Sequence, residues 1–328
     1  MLLKIQHQIE ELEQSLQALL VDSPGLSFQQ PVIQAMSNDL LRSSQVELSL
    51  LTCHLLHPVI SGNKWYKLKY NLVQAQREGA RNIISFGGAW SNHLHALAYA
   101  CHEIGLTAIA IVRGDELNAD ANPMLLEAQN WGMQFKFVDR ASYKQRSDSM
   151  YLEHLCKEYP NAYVVPEGGD NWLGVLGAST LFSGQPLNGV NVVAIPCGTG
   201  CSFEGARLGL PSCITLLGFP ALKGEWYKPM LEKRLQRYSE DLGPWSAITD
   251  YHFGGFGKCP AELRRFMGDF EVEAGLTLDP VYTAKMLFGL FDMIQSGAFK
   301  PGTRILAVHT GGLQGRRGIT ESSPNFTD

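Results

Sequence analysis

The chain has 328 residues, 45% of them hydrophobic and 18% charged, with a formal net charge of −5. That balance can bury a sizeable core, and the length suits one large or two ordinary domains. No basic excess points to nucleic acid or an anionic membrane surface, and no uninterrupted apolar run approaches the ~20 residues of a membrane helix.

The N-terminal stretch carries Glu10, Glu11 and Glu13 and no small-residue cleavage site, which argues against a secretory signal. Ile5, Ile9, Leu12, Leu16 and Leu19 instead fall at helical spacing, predicting an amphipathic helix packed on the body or on a partner subunit. Seven scattered cysteines include no Cys-x-x-Cys pair; the closest, Cys197 and Cys201, are separated by three residues. This is neither a zinc pattern nor a disulfide framework, so no metal is expected, and reduced thiols in a cytoplasmic protein are the simplest reading.

Further along, short β-branched runs alternate with longer amphipathic ones. Strands are predicted at residues 82–86, 107–112, 134–138, 162–165, 191–195, 212–217 and 304–309. Helices are predicted at 67–78, 92–104, 123–131, 202–210, 260–270 and 281–294. Such alternation implies right-handed crossovers and parallel sheets covered on both faces, an α/β fold. Residues 183–189 (Ser-Gly-Gln-Pro-Leu-Asn-Gly) read as a boundary between two sheet systems. Ligands of open α/β sheets bind beyond the C-terminal strand ends, so the glycine-rich turns there are the places to look for chemistry.

Four segments stand out. In Ser61-Gly62-Asn63-Lys64-Trp65-Tyr66-Lys67-Leu68 a lysine enters a helix from a constrained turn. A desolvated amine there can form a Schiff base; a solvated surface lysine is the plain alternative. In Ile84-Ser85-Phe86-Gly87-Gly88-Ala89-Trp90-Ser91-Asn92-His93 a strand turns on glycines into a helix whose first N–H groups suit a carboxylate or phosphate. Ser91 is equally an ordinary N-cap candidate, and His93 alone reads as a structural histidine. In Ile195-Pro196-Cys197-Gly198-Thr199-Gly200-Cys201-Ser202, N–H groups and hydroxyls could cradle a phosphate, although it is not a Walker loop and glycines also serve tight turns. In Val308-His309-Thr310-Gly311-Gly312 a strand ends on polar residues, and the Thr310 hydroxyl can meet a neutral ring nitrogen.

Each signal is modest alone, but their order and spacing together resemble the pyridoxal-phosphate enzymes of the tryptophan-synthase-β class. Within that class the chain is similar to the branch of D-cysteine desulfhydrase and 1-aminocyclopropane-1-carboxylate deaminase. The resemblance runs from about Leu50 to Gly315. It is carried by Gly62-Asn63-Lys64-x-x-Lys67-Leu68, Gly88-x-x-Ser91-Asn92, Pro166-Glu167-Gly168-Gly169-Asp170-Asn171-x-x-Gly174-x-x-Gly177, Gly198-Thr199-Gly200, Asp279-Pro280-Val281-Tyr282-Thr283-x-Lys285 and His309-Thr310-Gly311-Gly312. It implies two α/β domains of three-layer parallel sheets, with the cofactor in the interdomain cleft. The large domain would take residues 1–64 and 178–328 and the small domain 65–177. It implies that Lys64 holds pyridoxal 5′-phosphate as a Schiff base, that Gly198, Thr199 and Gly200 hold its phosphate, that Thr310 faces the pyridine nitrogen and that Asn92 lies near the ring oxygen. Ser91 would bind the substrate carboxylate or assist proton transfer, with Asn92, His93, Tyr251 and Tyr282 lining the substrate face. Lys64, Ser91 and Tyr282 form the implied catalytic set, in a homodimer.

Two departures separate the activities of the branch. The cyclopropane deaminases carry Glu where Thr283 stands and Leu where Thr310 stands, so both positions lean towards the desulfhydrase side. His93 replaces a common Gln, Ala284 a common Gly, and Arg316-Arg317 an aromatic-bearing segment. Tyr251-His252-Phe253-Gly254-Gly255-Phe256-Gly257 lies where the branch carries an aromatic loop over the active site, so the resemblance implies Tyr251 or Phe256 near the substrate. The implied reaction is α,β-elimination from D-cysteine or a related β-substituted amino acid. The alternatives are deamination of the cyclopropane substrate, racemisation of a small amino acid, and a pyridoxal-phosphate-binding protein with little catalysis. A nicotinamide dehydrogenase would need an early glycine fingerprint that is not evident.

Overall fold

The computed structural model describes residues 2–318. The chain opens with helix α1 (Leu2–Val21), then β1 (Ile33–Ala35), α2 (Asp39–Ser44), β2 (Glu47–Leu51) and α3 (Asn63–Arg77). Next come β3 (Asn82–Gly87), α4 (Asn92–Glu103), β4 (Thr107–Arg113), α5 (Pro123–Asn130) and β5 (Gln134–Val138). They are followed by α6 (Arg140–Lys144), α7 (Ser149–Glu158), β6 (Ala162–Val164), α8 (Trp172–Ser179), β7 (Val192–Cys197), α9 (Cys201–Gly209) and β8 (Thr215–Pro220). The last elements are α10 (Tyr227–Leu235), β9 (Trp245–Ala247), α11 (Ala261–Ala274), α12 (Thr283–Gln295) and β10 (Arg304–Val308).

These elements form two compact units, each with its own sheet. One comprises Leu2–Gln29 and His57–Gly177; the other contains Gln30–Leu56 and residues 178–318. The first holds a four-stranded, wholly parallel sheet in the order β5-β4-β3-β6. Its central strands β3 and β4 are near-continuous buried runs because both faces are covered. Ile84, Phe86, Ile109 and Ile111 pack there with Val138, Tyr143 and Leu155. The second unit holds a six-stranded sheet in the order β1-β2-β10-β7-β8-β9, parallel except for the β1–β2 pair. Leu48 and Leu50 of β2, Ala194 of β7 and Ile305 and Ala307 of β10 share a core with Leu263, Met267 and Phe270 of α11 and Leu287, Leu290 and Ile294 of α12.

The parallel α/β architecture read from strand–helix alternation is the architecture found. The amphipathic N-terminal segment is a helix, with Ile5, Leu12, Leu16 and Leu19 buried. It packs within the four-stranded unit, where Lys69 donates to Glu13, Tyr70 Oη donates to Glu13 at 2.6 Å and Arg77 donates to Ser15 Oγ at 2.6 Å. Residues 2–29 and 57–64 therefore belong with the four-stranded unit, whereas the sequence reading grouped residues 1–64 with 178–328. The strand expected at 212–217 begins three residues later, at Thr215. The buried Arg207 guanidinium donates to the carbonyls of Ile214, Leu210 and Pro211 at 2.7, 3.1 and 2.8 Å and so fixes residues 211–214 as a turn.

All seven cysteines are free. Burial pushes the Cys53 and Cys197 thiols up to about 12 and raises Cys101 further, so these are not thiolates at neutral pH. In a thiol titration of the native protein, exposed Cys213 should react first and the partly exposed Cys156 and Cys259 more slowly. Cys53, Cys101, Cys197 and Cys201 should react only on unfolding; rapid labelling of Cys197 would contradict this packing.

Candidate active site

In the four-stranded unit the lysine motif sits at a strained entry to α3. Gly62 has φ 68° and ψ −147°, a conformation in practice restricted to glycine, and it directs the chain straight into the helix at Asn63. Lys64 is half-buried on the first turn, and its Nζ donates to Asn63 Oδ1 at 2.6 Å. The neighbouring Trp65 is buried and stacks on Phe28 with centroids 3.9 Å apart, which fixes the start of the helix.

The second motif is the turn from β3 into α4. Ser91 is the N-cap, its Oγ accepting the Leu94 N–H at 3.3 Å. The cap reading is thus correct, and it leaves the Ser91 hydroxyl hydrogen free to point elsewhere. Asn92 Oδ1 is buried and has no hydrogen-bond partner. His93 is 2% exposed, with Nε2 2.8 Å from Ser85 Oγ. Ser85 gives its single hydroxyl proton to Val165 O at 2.7 Å, so His93 Nε2 must be the donor. His93 Nδ1 therefore carries a lone pair, and it too is buried without a partner. Burial, then the positive charges of Lys67 and Lys64, hold the ring's pKa well below the ordinary histidine value. The structure thus places Lys64 and His93 within electrostatic reach of each other, with His93 a neutral acceptor.

In the six-stranded unit, β7 runs into Gly198-Thr199-Gly200 and α9. Gly200 caps α9 at φ +91°, and a Cβ there would stand only 3.1–3.2 Å from Leu231, Met230 and Arg234, so the position requires glycine. The fully buried Tyr227 donates its hydroxyl to Gly198 O at 2.8 Å. Thr199 Oγ1 is buried with no partner. The first N–H groups of a helix lack a carbonyl one turn earlier, and with the helix dipole they favour an anion. Behind the loop, fully buried Glu204 accepts from Arg234 and Arg237, each at 2.9 Å, and from Tyr238.

The last two segments lie in the same unit. Fully buried Asp279 accepts from the backbone N–H groups of Val281 (3.1 Å), Tyr282 (2.7 Å) and Thr283 (2.8 Å), locking the start of α12. The Tyr282 ring then lies 3.3 Å from where a Cβ on Gly198 would stand. Phe256 lies edge-on to Tyr282, with centroids 5.9 Å apart. Tyr251 takes a different place: its hydroxyl donates to Asp292 at 2.7 Å, and its ring packs by Phe219, Phe288 and Gly289. At the end of β10, His309 Nε2 donates to Thr277 O at 2.8 Å, so its Nδ1 accepts the Gly311 N–H at 3.2 Å. This holds the turn that carries Thr310, itself 4% exposed.

Several groups that hold the site carried no readable signal. Tyr227, Glu204 and Arg234 act through long-range pairing of α9 with α10, and Tyr227 sits in a helix that was not predicted. Asp279 and His309 were visible only as members of motifs.

The His309 contacts make stability depend on pH. Burial lowers its pKa from 6.5 to about 4, partly opposed by its bond to Thr277. Between those values the unfolded chain binds a proton that the folded chain excludes, so this stability is complete above pH 6.5 and lost as pH falls to 4. The loss should be about 3 kcal/mol, read from urea midpoints, and His309→Gln should flatten that slope. In the same assay Asp279→Ala should cost roughly 1–2 kcal/mol through loss of the cap; a neutral result would mean the α12 start does not depend on it.

A family profile described as pyridoxal-phosphate dependent enzyme matches residues 37–311. A Pyrococcus horikoshii protein provisionally named a 1-aminocyclopropane-1-carboxylate deaminase is 31% identical over 269 residues, covering 78% of this chain and 81% of its own length. The D-cysteine desulfhydrase of Klebsiella pneumoniae is 28% identical, covering 77% and 83%. A bifunctional mitochondrial protein of Arabidopsis thaliana, named for both activities, is 27% identical, covering 78% and 70%. Among solved structures, a homologue of 1-aminocyclopropane-1-carboxylate deaminase superposes with a TM-score of 0.75 at 28% identity, covering 92% of this chain and 95% of that one. The serine racemase of Dictyostelium discoideum shares the fold, with a TM-score of 0.67 at 12% identity over 91% and 97% of the two chains.

Proposed function

The chain belongs to the pyridoxal-phosphate-dependent enzymes, and from that premise we propose that it catalyses α,β-elimination from D-cysteine or a related β-substituted amino acid, releasing a keto acid, ammonia and sulfide. At the coarser level it is a deaminase or lyase of the group whose members carry the names 1-aminocyclopropane-1-carboxylate deaminase and D-cysteine desulfhydrase.

The residues present fit the cofactor. Thr199 Oγ1 is buried without a partner, and its hydroxyl would donate to the phosphate; Asn92 Oδ1 is likewise buried without a partner, and the amide N–H of the same side chain would donate to the ring oxygen. Gly198, Thr199 and Gly200 would hold the phosphate, Thr310 the pyridine nitrogen, Asn92 the ring oxygen and Lys64 the carbonyl carbon. The bound cofactor supplies an electron sink for the pair left when the α-proton departs. Lys64, oriented by Asn63 Oδ1, takes that proton as the sulfur leaves the β-carbon, and water hydrolyses the released imine to the keto acid and ammonia. The Ser91 oxygen accepts at the α4 cap and keeps its O–H to donate to the substrate carboxylate, which the start of α4 also favours. Tyr282, clamped by Asp279, faces the substrate and can donate its phenolic proton to the departing sulfur.

The observation that carries the choice of substrate is the pair of threonines at 283 and 310. Thr283 is fully buried, and its N–H donates to the Asp279 carboxylate. Its hydroxyl is buried without a partner; a glutamate there, as in the cyclopropane deaminases, would set a carboxylate that keeps the ring nitrogen protonated, and a threonine does not. A hydroxyl at Thr310 supports a neutral ring nitrogen. Ring-opening deamination remains the second reading because relatives of similar identity carry that name.

Replacing Lys64 with Ala should lower turnover by at least about 10³-fold, the scale of a lost acid–base group, while the fold remains intact by circular dichroism. Full activity in that variant would sink the mechanism. Keto-acid formation from D-cysteine, with sulfide, should exceed that from 1-aminocyclopropane-1-carboxylate; the reverse ranking would favour the second reading.

A further inference from the structure

Lys285 lies on α12, one turn beyond Tyr282, and is 2% exposed. Its Nζ donates to His252 O at 2.9 Å and to Gly255 O at 2.7 Å. Both acceptors belong to the segment linking β9 to α11, which contains no regular element between Tyr251 and Gly257. That segment is backbone-strained: Phe253 has φ 53°, and Gly254, Gly255 and Gly257 have φ 89°, 124° and 73°. Its own bonds are sparse. Gly255 N donates to His252 O at 3.0 Å, Lys258 N to Gly255 O at 3.3 Å and Gly254 N to His252 Nδ1 at 2.9 Å. Phe256, at the tip, is the residue that lies edge-on to Tyr282.

A buried cation is costly unless its hydrogens are accepted, and a strained loop persists only where its surroundings over-determine it. The two requirements meet in one contact, since the loop carbonyls satisfy the ammonium and the ammonium fixes the loop. We infer that Lys285 is a positioning residue: by holding the carbonyls of His252 and Gly255 it seats Phe256 against Tyr282, and so shapes the face on which the substrate side chain is recognised. This rests on reading Tyr282 as facing the substrate.

Burial pulls the Lys285 pKa down to about 8, opposed by the negative charges of Cys259 and Asp279. Arg264 and Arg316 in turn act on Cys259. Losing the proton turns two charge-assisted bonds into neutral ones of roughly half the strength, so the loop should loosen as pH rises through 8.

The test is hydrogen–deuterium exchange of the holoenzyme, wild type against Lys285→Met, read together with steady-state kinetics on D-cysteine. Amides of residues 251–258 should exchange about tenfold faster in the variant while those of β7 and β10 are unchanged, the pattern of a local opening. Cofactor uptake, read from the visible band, should be unaltered, and KM should rise about tenfold with a smaller change in kcat. Should Lys285→Met fail to fold, wild-type exchange corrected for its intrinsic pH dependence gives the same reading, with loop exchange rising between pH 7 and 9.5. Unchanged loop exchange in the variant, or in the wild type across that range, overturns the clamp. A loosened loop with unaltered KM overturns the role in recognition. A wild type that does not turn over D-cysteine instead contradicts the substrate reading above and leaves the exchange result standing.

Discussion

Burying a polar atom without a hydrogen-bond partner costs about 1–3 kcal/mol, and this protein does so at two turns where a strand hands the chain to a helix. Thr199 Oγ1 lies at the turn from β7 to α9 and Asn92 Oδ1 at the start of α4. Each stands beside helical N–H groups that already favour an anion or acceptor. An unpartnered Thr199 hydroxyl can donate to an anion, and pyridoxal phosphate, the cofactor of the family, carries a phosphate that would accept it.

The turns hold their shape because groups outside the motifs restrain them. Tyr227 fixes the Gly198 carbonyl, Asp279 gathers three N–H groups at the start of α12, and His309 bridges Thr277 to Gly311. In the four-stranded unit Ser85 plays the corresponding part, orienting His93 so that its Nδ1 lone pair stays bare near two lysines. Reactive groups are thereby set by packing rather than by their own flexibility, which is what preorganised catalysis requires.

Much of this was legible in the sequence where burial dictates composition. The apolar runs of β3, β4, β7 and β10 and the glycine turns after them stand out because a parallel strand covered on both faces admits little else. Thr215–Pro220 was misplaced by three residues because Arg207, from a different element, turns residues 211–214 into a loop. The short β1, β2 and β9 and the helices α2, α6, α7, α8 and α10 carry too few residues of clear periodicity to be read from the sequence. Lys64, Ser91 and Thr199 stand in motifs whose chemistry a sequence displays. The partners of Glu204 and Lys285 are not so displayed, since Arg234, Arg237 and the carbonyls of His252 and Gly255 are brought to them only by folding.

The central claim, that Lys64 carries the cofactor and that D-cysteine is the kind of substrate it meets, is tested most directly by a visible absorption spectrum of the purified protein with pyridoxal phosphate while D-cysteine is titrated in. The account predicts a cofactor band that shifts on addition of D-cysteine, with sulfide released as it does so. Absence of any such band after pyridoxal phosphate is supplied would contradict the role of Lys64, and a band unmoved by D-cysteine would contradict the substrate class.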